Sequence, residues 1–102
     1  MTYELMTPDE LASKLGKNLK LVRAARGLRQ EDLAKVSGAS LQAIKNLEGG
    51  GKVELITFLK VAQALDLVRG VWESCQPQPQ TLDEIERIEA ARSDTSRVRQ
   101  RL

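Results

Sequence analysis

Histidine is absent from this 102-residue chain, cysteine occurs once, and aromatic residues make up only 3% of it. With no histidine and a single thiol, no zinc ligand set at close spacing is visible, and Cys75 alone excludes an intrachain disulfide. The carboxylates do not cluster except at helix starts, so neither an acid–base pair nor a nucleophile triad presents itself. Gly49-Gly50-Gly51 follows a helical pattern rather than a strand, unlike a phosphate-cradling loop. Catalysis, a cofactor and a metal are therefore not expected. The scarcity of aromatics leaves Leu, Val, Ile and Ala to build the core, which suits packed helices better than a sandwich. About ten such side chains would contribute on the order of 1.5–3 kcal/mol each before entropy is subtracted. That is marginal for one small domain plus a tail, so a second copy would help. No apolar run approaches the roughly 20 residues of a membrane span, and no basic stretch leads into an apolar one at the N-terminus. The expected location is the cytoplasm.

What the chain does have is unevenly placed charge. The net charge is +2. Residues 1–10 carry three acids and no base, residues 11–75 carry eleven bases against six acids, and residues 76–102 carry five of each. The positive excess lies over the presumed domain, as nucleic-acid binding would want, although lysines and arginines also simply solvate helices.

Helix signals divide the chain. Thr7-Pro8-Asp9-Glu10 combines a cap, a first-turn proline and a capping-box glutamate, and Leu11, Leu15, Leu19 and Val22 follow at helical spacing. Gly27 is the natural stop, so the first helix is expected from about Pro8 to Ala25. A second runs from Gln30 to about Val36, with Arg29 standing where Ser, Thr or Asp would cap, and with Glu31 and Asp32 in its first turn. Ser40 caps a third helix that ends at Gly49-Gly50-Gly51. A fourth covers Glu54 to Leu65, with Leu55, Phe58, Leu59, Ala62 and Leu65 on one face, and a short fifth holds Val68, Val71 and Trp72. Trp72 either closes the core or, with Val68 and Val71, forms a dimer seam. The expected division is a domain over 8–75, an extended Pro/Gln linker over 76–80, and a partly helical, arginine-rich tail over 81–102. Within the tail, Thr81-Leu82-Asp83-Glu84 offers a second capping box, and a helix is expected over about 82–92.

The segment from Leu28 to Gly50 reads as two short helices joined by a tight turn at Gly38, which is the pattern of a helix-turn-helix. Leu15-Gly16, Leu19, Val22-Arg23, Gly27-Leu28, Gln30, Leu33-Ala34, Gly38, Ser40, Ile44, Leu47-Glu48, Gly50 and Leu59 to Leu65 together resemble the Cro/repressor-type (XRE) helix-turn-helix family over about residues 15–67. The resemblance implies an all-α, lambda-repressor-like bundle of four to five short helices. Leu65-Asp66-Leu67, a short apolar helix, a Pro-rich linker and an arginine-rich end look more narrowly like a bacterial subgroup. Some members of it are HipB-like antitoxins paired with a HipA-like toxin kinase, and others are stand-alone regulators.

The third helix is the expected reader of the DNA major groove. Its Ile44 and Leu47 point inward at helical spacing, leaving Leu41, Gln42, Lys45 and Asn46 outward. Gln42 can pair bidentately with adenine, Lys45 can reach guanine or a phosphate, Leu41 can press on a thymine methyl, and Asn46 is expected at a phosphate. Ser40 can cap its helix and bond a phosphate as well. By the family pattern Gln30 bonds a phosphate, and Arg23 pairs with Glu48 to lock the first helix against the end of the third. Arg26, Arg29 and Lys52 are candidate backbone contacts, each with solvation as the alternative. Two functions follow. One is a sequence-specific regulator, a homodimeric repressor on double-stranded DNA. The other is an antitoxin that binds a toxin kinase through residues 81–102 and autoregulates its operon.

Overall fold

The computed structural model describes the backbone of residues 3–101 and the side chains of residues 3–94. A single 3-10 turn, Tyr3–Leu5, precedes six helices: α1 Pro8–Ala25, α2 Gln30–Ser37, α3 Leu41–Glu48, α4 Leu55–Ala64, α5 Val68–Ser74 and α6 Leu82–Arg101. Among the described residues there is no strand. Among the described residues no helix is long and apolar enough to cross a membrane. The chain divides into two compact units, 1–71 and 72–102.

Local chemistry sets the helix ends of the first unit. The Thr7 hydroxyl accepts the Glu10 N–H at 3.1 Å, and Pro8 occupies the first turn, where a missing N–H costs nothing. At the other end Gly27 has φ 74°, and the N–H groups of Gly27 and Leu28 return to the carbonyls of Ala24 and Arg23. This left-handed stop recurs after α3, where Gly50 has φ 79° and Gly51 donates to the Asn46 carbonyl at 2.7 Å. It recurs once more after α4, with a non-glycine residue: Asp66 has φ 58°, and Leu67 donates to the Ala62 carbonyl at 2.8 Å. After α1 and α4 the residue that follows the stop, Leu28 or Leu67, packs against the core.

That core is aliphatic. Leu19, Leu33, Ile44, Leu47, Val61 and Leu65 form its buried cluster, with Val22, Leu28, Phe58 and Leu67 packed against it. α1 lies on α3, α2 on both α3 and α4, and α3 also touches α4. Two positions depart from the helical faces expected from sequence. Leu15 and Leu55 belong to apolar stripes yet are 54% and 68% exposed. Both line a groove of about 460 Å³ whose walls also include Leu19, Leu47, Val53 and Phe58. Their stripes point toward the core side, but no element of this unit fills the space in front of them. Conversely Val61, outside the expected α4 face, is 1% exposed, because α4 is covered by α2 and α3 together.

The second unit begins inside α5, at Trp72 rather than at the Pro/Gln segment. Trp72 is 69% exposed, so it does not close the core. Pro77 and Pro79 lie beside Ile85, Ile88, Glu89 and Arg92 of α6. The Thr81 hydroxyl accepts the Glu84 N–H at 3.2 Å, and the Glu84 carboxylate accepts the Gln80 N–H at 2.8 Å. α6 extends well past the expected end at residue 92. The sequence signal for this helix is the apolar spacing of Leu82, Ile85 and Ile88, and it fades beyond residue 92, where the chain is polar and rich in arginine. The arginines at 97, 99 and 101, expected to make the tail basic, lie outside the described side chains.

Candidate nucleic-acid interface

Between α2 and α3 the chain reverses over Gly38, Ala39 and Ser40. Gly38, at φ 79°, donates to the Ala34 carbonyl, and the Ala39 N–H donates to the Ser37 hydroxyl at 3.1 Å. A left-handed residue is required here, and a Cβ at Gly38 would meet nothing within 4 Å, so conformation rather than space demands glycine. Ser40 then caps α3, its hydroxyl accepting the Ala43 N–H at 3.0 Å.

α3 has two unlike sides. Ile44 and Leu47 are buried, while Gln42, Lys45 and Asn46 are exposed and Leu41 is half-buried. Gln42 Nε2 donates to Asn46 Oδ1 at 3.0 Å across one helical turn. Such an i,i+4 pair contributes about 0.2–0.5 kcal/mol to the helix.

The end of α3 is held from two helices, α1 and α2. Arg23 on α1 grips Glu48 with two parallel bonds, Nε to Oε2 at 2.6 Å and Nη2 to Oε1 at 3.0 Å. Its third nitrogen, Nη1, donates to the Leu28 carbonyl at 2.7 Å. Gln30, the first residue of α2, donates from Nε2 to Glu48 Oε1 at 3.0 Å. Arg23 and Glu48 are each 8% exposed, and no side-chain polar atom buried among the described residues lacks a partner. Burial pushes the Glu48 carboxyl up, but hydrogen bonds from Arg23 and Gln30 and the charges of Arg23 and Lys20 outweigh it and hold the group below its ordinary range. The bond to Glu48 raises Arg23 further, against the opposing effect of burial. The helices can lie this close because residue 16 is glycine. A Cβ there would fall on the Leu47 carbonyl oxygen and 2.8 Å from that of Glu48.

The remaining candidates are spread around this frame. Arg29 is the N-cap residue of α2, and a guanidinium has no acceptor with which to cap. Asp32 compensates by accepting the Arg29 N–H at 2.9 Å, which, opposed by desolvation, draws the Asp32 carboxyl down. The Arg29 side chain is exposed, with Nε 3.6 Å from Asp32. Lys52 is exposed beside the groove, past the glycines. Arg26 is engaged elsewhere, with Nη1 2.9 Å from Asp66 at the end of α4. Sequence reasoning missed two features. Gln30, a phosphate ligand or a solvated helix residue by its sequence, is tied to Glu48, 18 positions away, a link that no local pattern signals. The Arg26–Asp66 pair spans 40 positions and is equally silent in sequence.

The open face of α3 presents hydrogen-bonding side chains on a helix whose end is held by Arg23 and Gln30. Among the described residues no cluster of metal-ligating groups exists. Comparison with known proteins agrees. The family described as "Helix-turn-helix" matches residues 19–72. The chain is 30% identical over 86 residues to Antitoxin HipB of Escherichia coli O6:H1, an alignment covering 81% of this chain and 92% of that one. It also resembles the crystal structure of the restriction-modification controller protein C.AhdI from Aeromonas hydrophila, with TM-score 0.51 and 40% identity over 55% of this chain and 86% of that one. The chain thus belongs to the helix-turn-helix family of the Cro/repressor (XRE) type, with the lambda-repressor-like DNA-binding domain typical of transcriptional regulators.

Proposed function

We propose that this protein is a sequence-specific transcriptional repressor that binds, as a homodimer, an operator with two half-sites. α3 enters the major groove, Gln42 pairs with adenine, Lys45 reaches guanine or a phosphate, and Leu41 presses on a thymine methyl. Ser40, Gln30, Arg29 and Lys52 meet phosphates and set the register. The observation that carries the reading is the two-sided α3: its inner face is buried, its end is clamped by Arg23 and Gln30, and its polar face is open. Gln30 keeps its phosphate role in this reading, because a glutamine amide has a second N–H beyond the one given to Glu48. Two α3 helices would lie about 34 Å apart, one turn of DNA. Selection from random duplexes tests this. The expected return is a motif with paired half-sites, bound with an affinity that falls steeply with salt as counterions are released. A protein with no salt-sensitive preference among sequences would overturn it.

A second reading has its own support. The alignment to Antitoxin HipB takes in 86 residues and so extends beyond the helix-turn-helix match. In this reading the chain binds and neutralises a HipA-like toxin kinase through residues 81–102, and DNA binding autoregulates the operon. Co-expression with such a kinase and recovery of a stable complex would support it. Failure of the two to co-purify would remove it.

A further inference from the structure

Asn46 lies one turn beyond Gln42 on the open face of α3, and its carbonyl oxygen is already in use. It accepts a hydrogen bond from Gln42 Nε2 at 3.0 Å, and both side chains are exposed. A glutamine amide has two N–H donors and one carbonyl acceptor. With one N–H given to Asn46, Gln42 retains one donor and one acceptor on the same planar group. The major-groove edge of adenine asks for that combination, since N7 accepts and the N6 amino group donates. A glutamine side chain free in water rotates about its last bond and presents donor and acceptor in either order. In the observed pairing, with Asn46 Oδ1 turned toward Gln42, only the nitrogen end of Gln42 can bond to it, and that selects one order.

We propose that Asn46 is a positioning residue for base reading. It orients the Gln42 amide before DNA arrives, and the preference for adenine at one operator position depends on it. The inference rests on Gln42 being the base-reading residue, and it replaces a phosphate role for Asn46 with an indirect one.

The test uses the full chain and the operator returned by selection from random duplexes. Selection with Gln42→Ala first identifies the position that Gln42 reads, as the one whose preference disappears. If the motif returned by Gln42→Ala is unchanged, the base-reading assignment itself is wrong and the proposal falls with it. With that position known, Asn46→Ala is expected to reduce discrimination there by three- to tenfold and to leave other positions alone. Asn46→Asp keeps the acceptor and so keeps the discrimination, while its added charge weakens binding to every sequence. The double variant discriminates no worse than Gln42→Ala alone. Two results would overturn the proposal: an Asn46→Ala protein that loses affinity equally for all sequences, as a lost phosphate contact would produce, or losses at that position that add to those of Gln42→Ala. Both positions are exposed, and losing a pair of this size leaves the variants folded at the assay temperature, which their melting curves check.

Discussion

Glu48 does more for this molecule than its single position in a consensus would suggest. It takes two bonds from Arg23 and one from Gln30, so one carboxylate joins α1, α2 and α3. Its pKa is depressed in the folded protein, so it contributes stability that is present above the ordinary carboxylate value of about 4.3 and is lost as pH falls through the lower folded value. Arg23 stays charged throughout this range and adds no slope of its own. Glu48→Gln is therefore expected to flatten the acid limb of a stability-against-pH curve measured by urea unfolding. Asp32, also depressed, retains part of that limb. Gly16 makes the second residue-scale prediction. A methyl group placed on the Leu47 carbonyl oxygen forces α1 and α3 apart, so Gly16→Ala should cost about 1–3 kcal/mol in equilibrium unfolding. The same opening would slacken the Arg23 grip, which makes Gly16 as much a part of the clamp as the charges are.

Side-chain caps begin α1, α3 and α6, whereas α2 lacks one in an informative way. The N-cap residue of α2, Arg29, supplies no acceptor, and only Asp32 bonds back to the cap N–H. Arg29→Ser would complete a capping box with Asp32 and should raise stability by about 1 kcal/mol, read as a higher melting temperature. The arginine side chain is exposed beside Gln30, so the same variant is expected to bind DNA more weakly, with a smaller salt slope. A more stable protein with unchanged binding would show that Arg29 contacts nothing on DNA. Element boundaries were legible because capping is a matter of neighbouring residues: Thr7 with Glu10, Ser40 with Ala43, Thr81 with Glu84. α6 was legible only in its first half, where apolar spacing marks it.

At the scale of the whole molecule the open questions concern surfaces. Trp72 is the only tryptophan in the chain and is 69% exposed, so its fluorescence in dilute solution should resemble that of tryptophan in water and be readily quenched by acrylamide. A concentration-dependent blue shift would place Trp72 at a seam between two copies, and a constant spectrum would exclude Trp72 from such a seam. By itself the sequence determined the helical class, the positions of the turns, the buried stripe of Ile44 and Leu47, and the polar face opposite them. Those features follow from backbone chemistry and from a period of 3.6 residues, both of which act between neighbours. Tertiary structure alone decided that Leu15 and Leu55 line an open groove, that Val61 is covered by two helices, and that Asp66 holds Arg26. It also decided that Gln30 closes a three-helix clamp on Glu48. Burial and long-range pairing depend on which elements meet, and a residue's near neighbours in sequence carry no record of what folds against it.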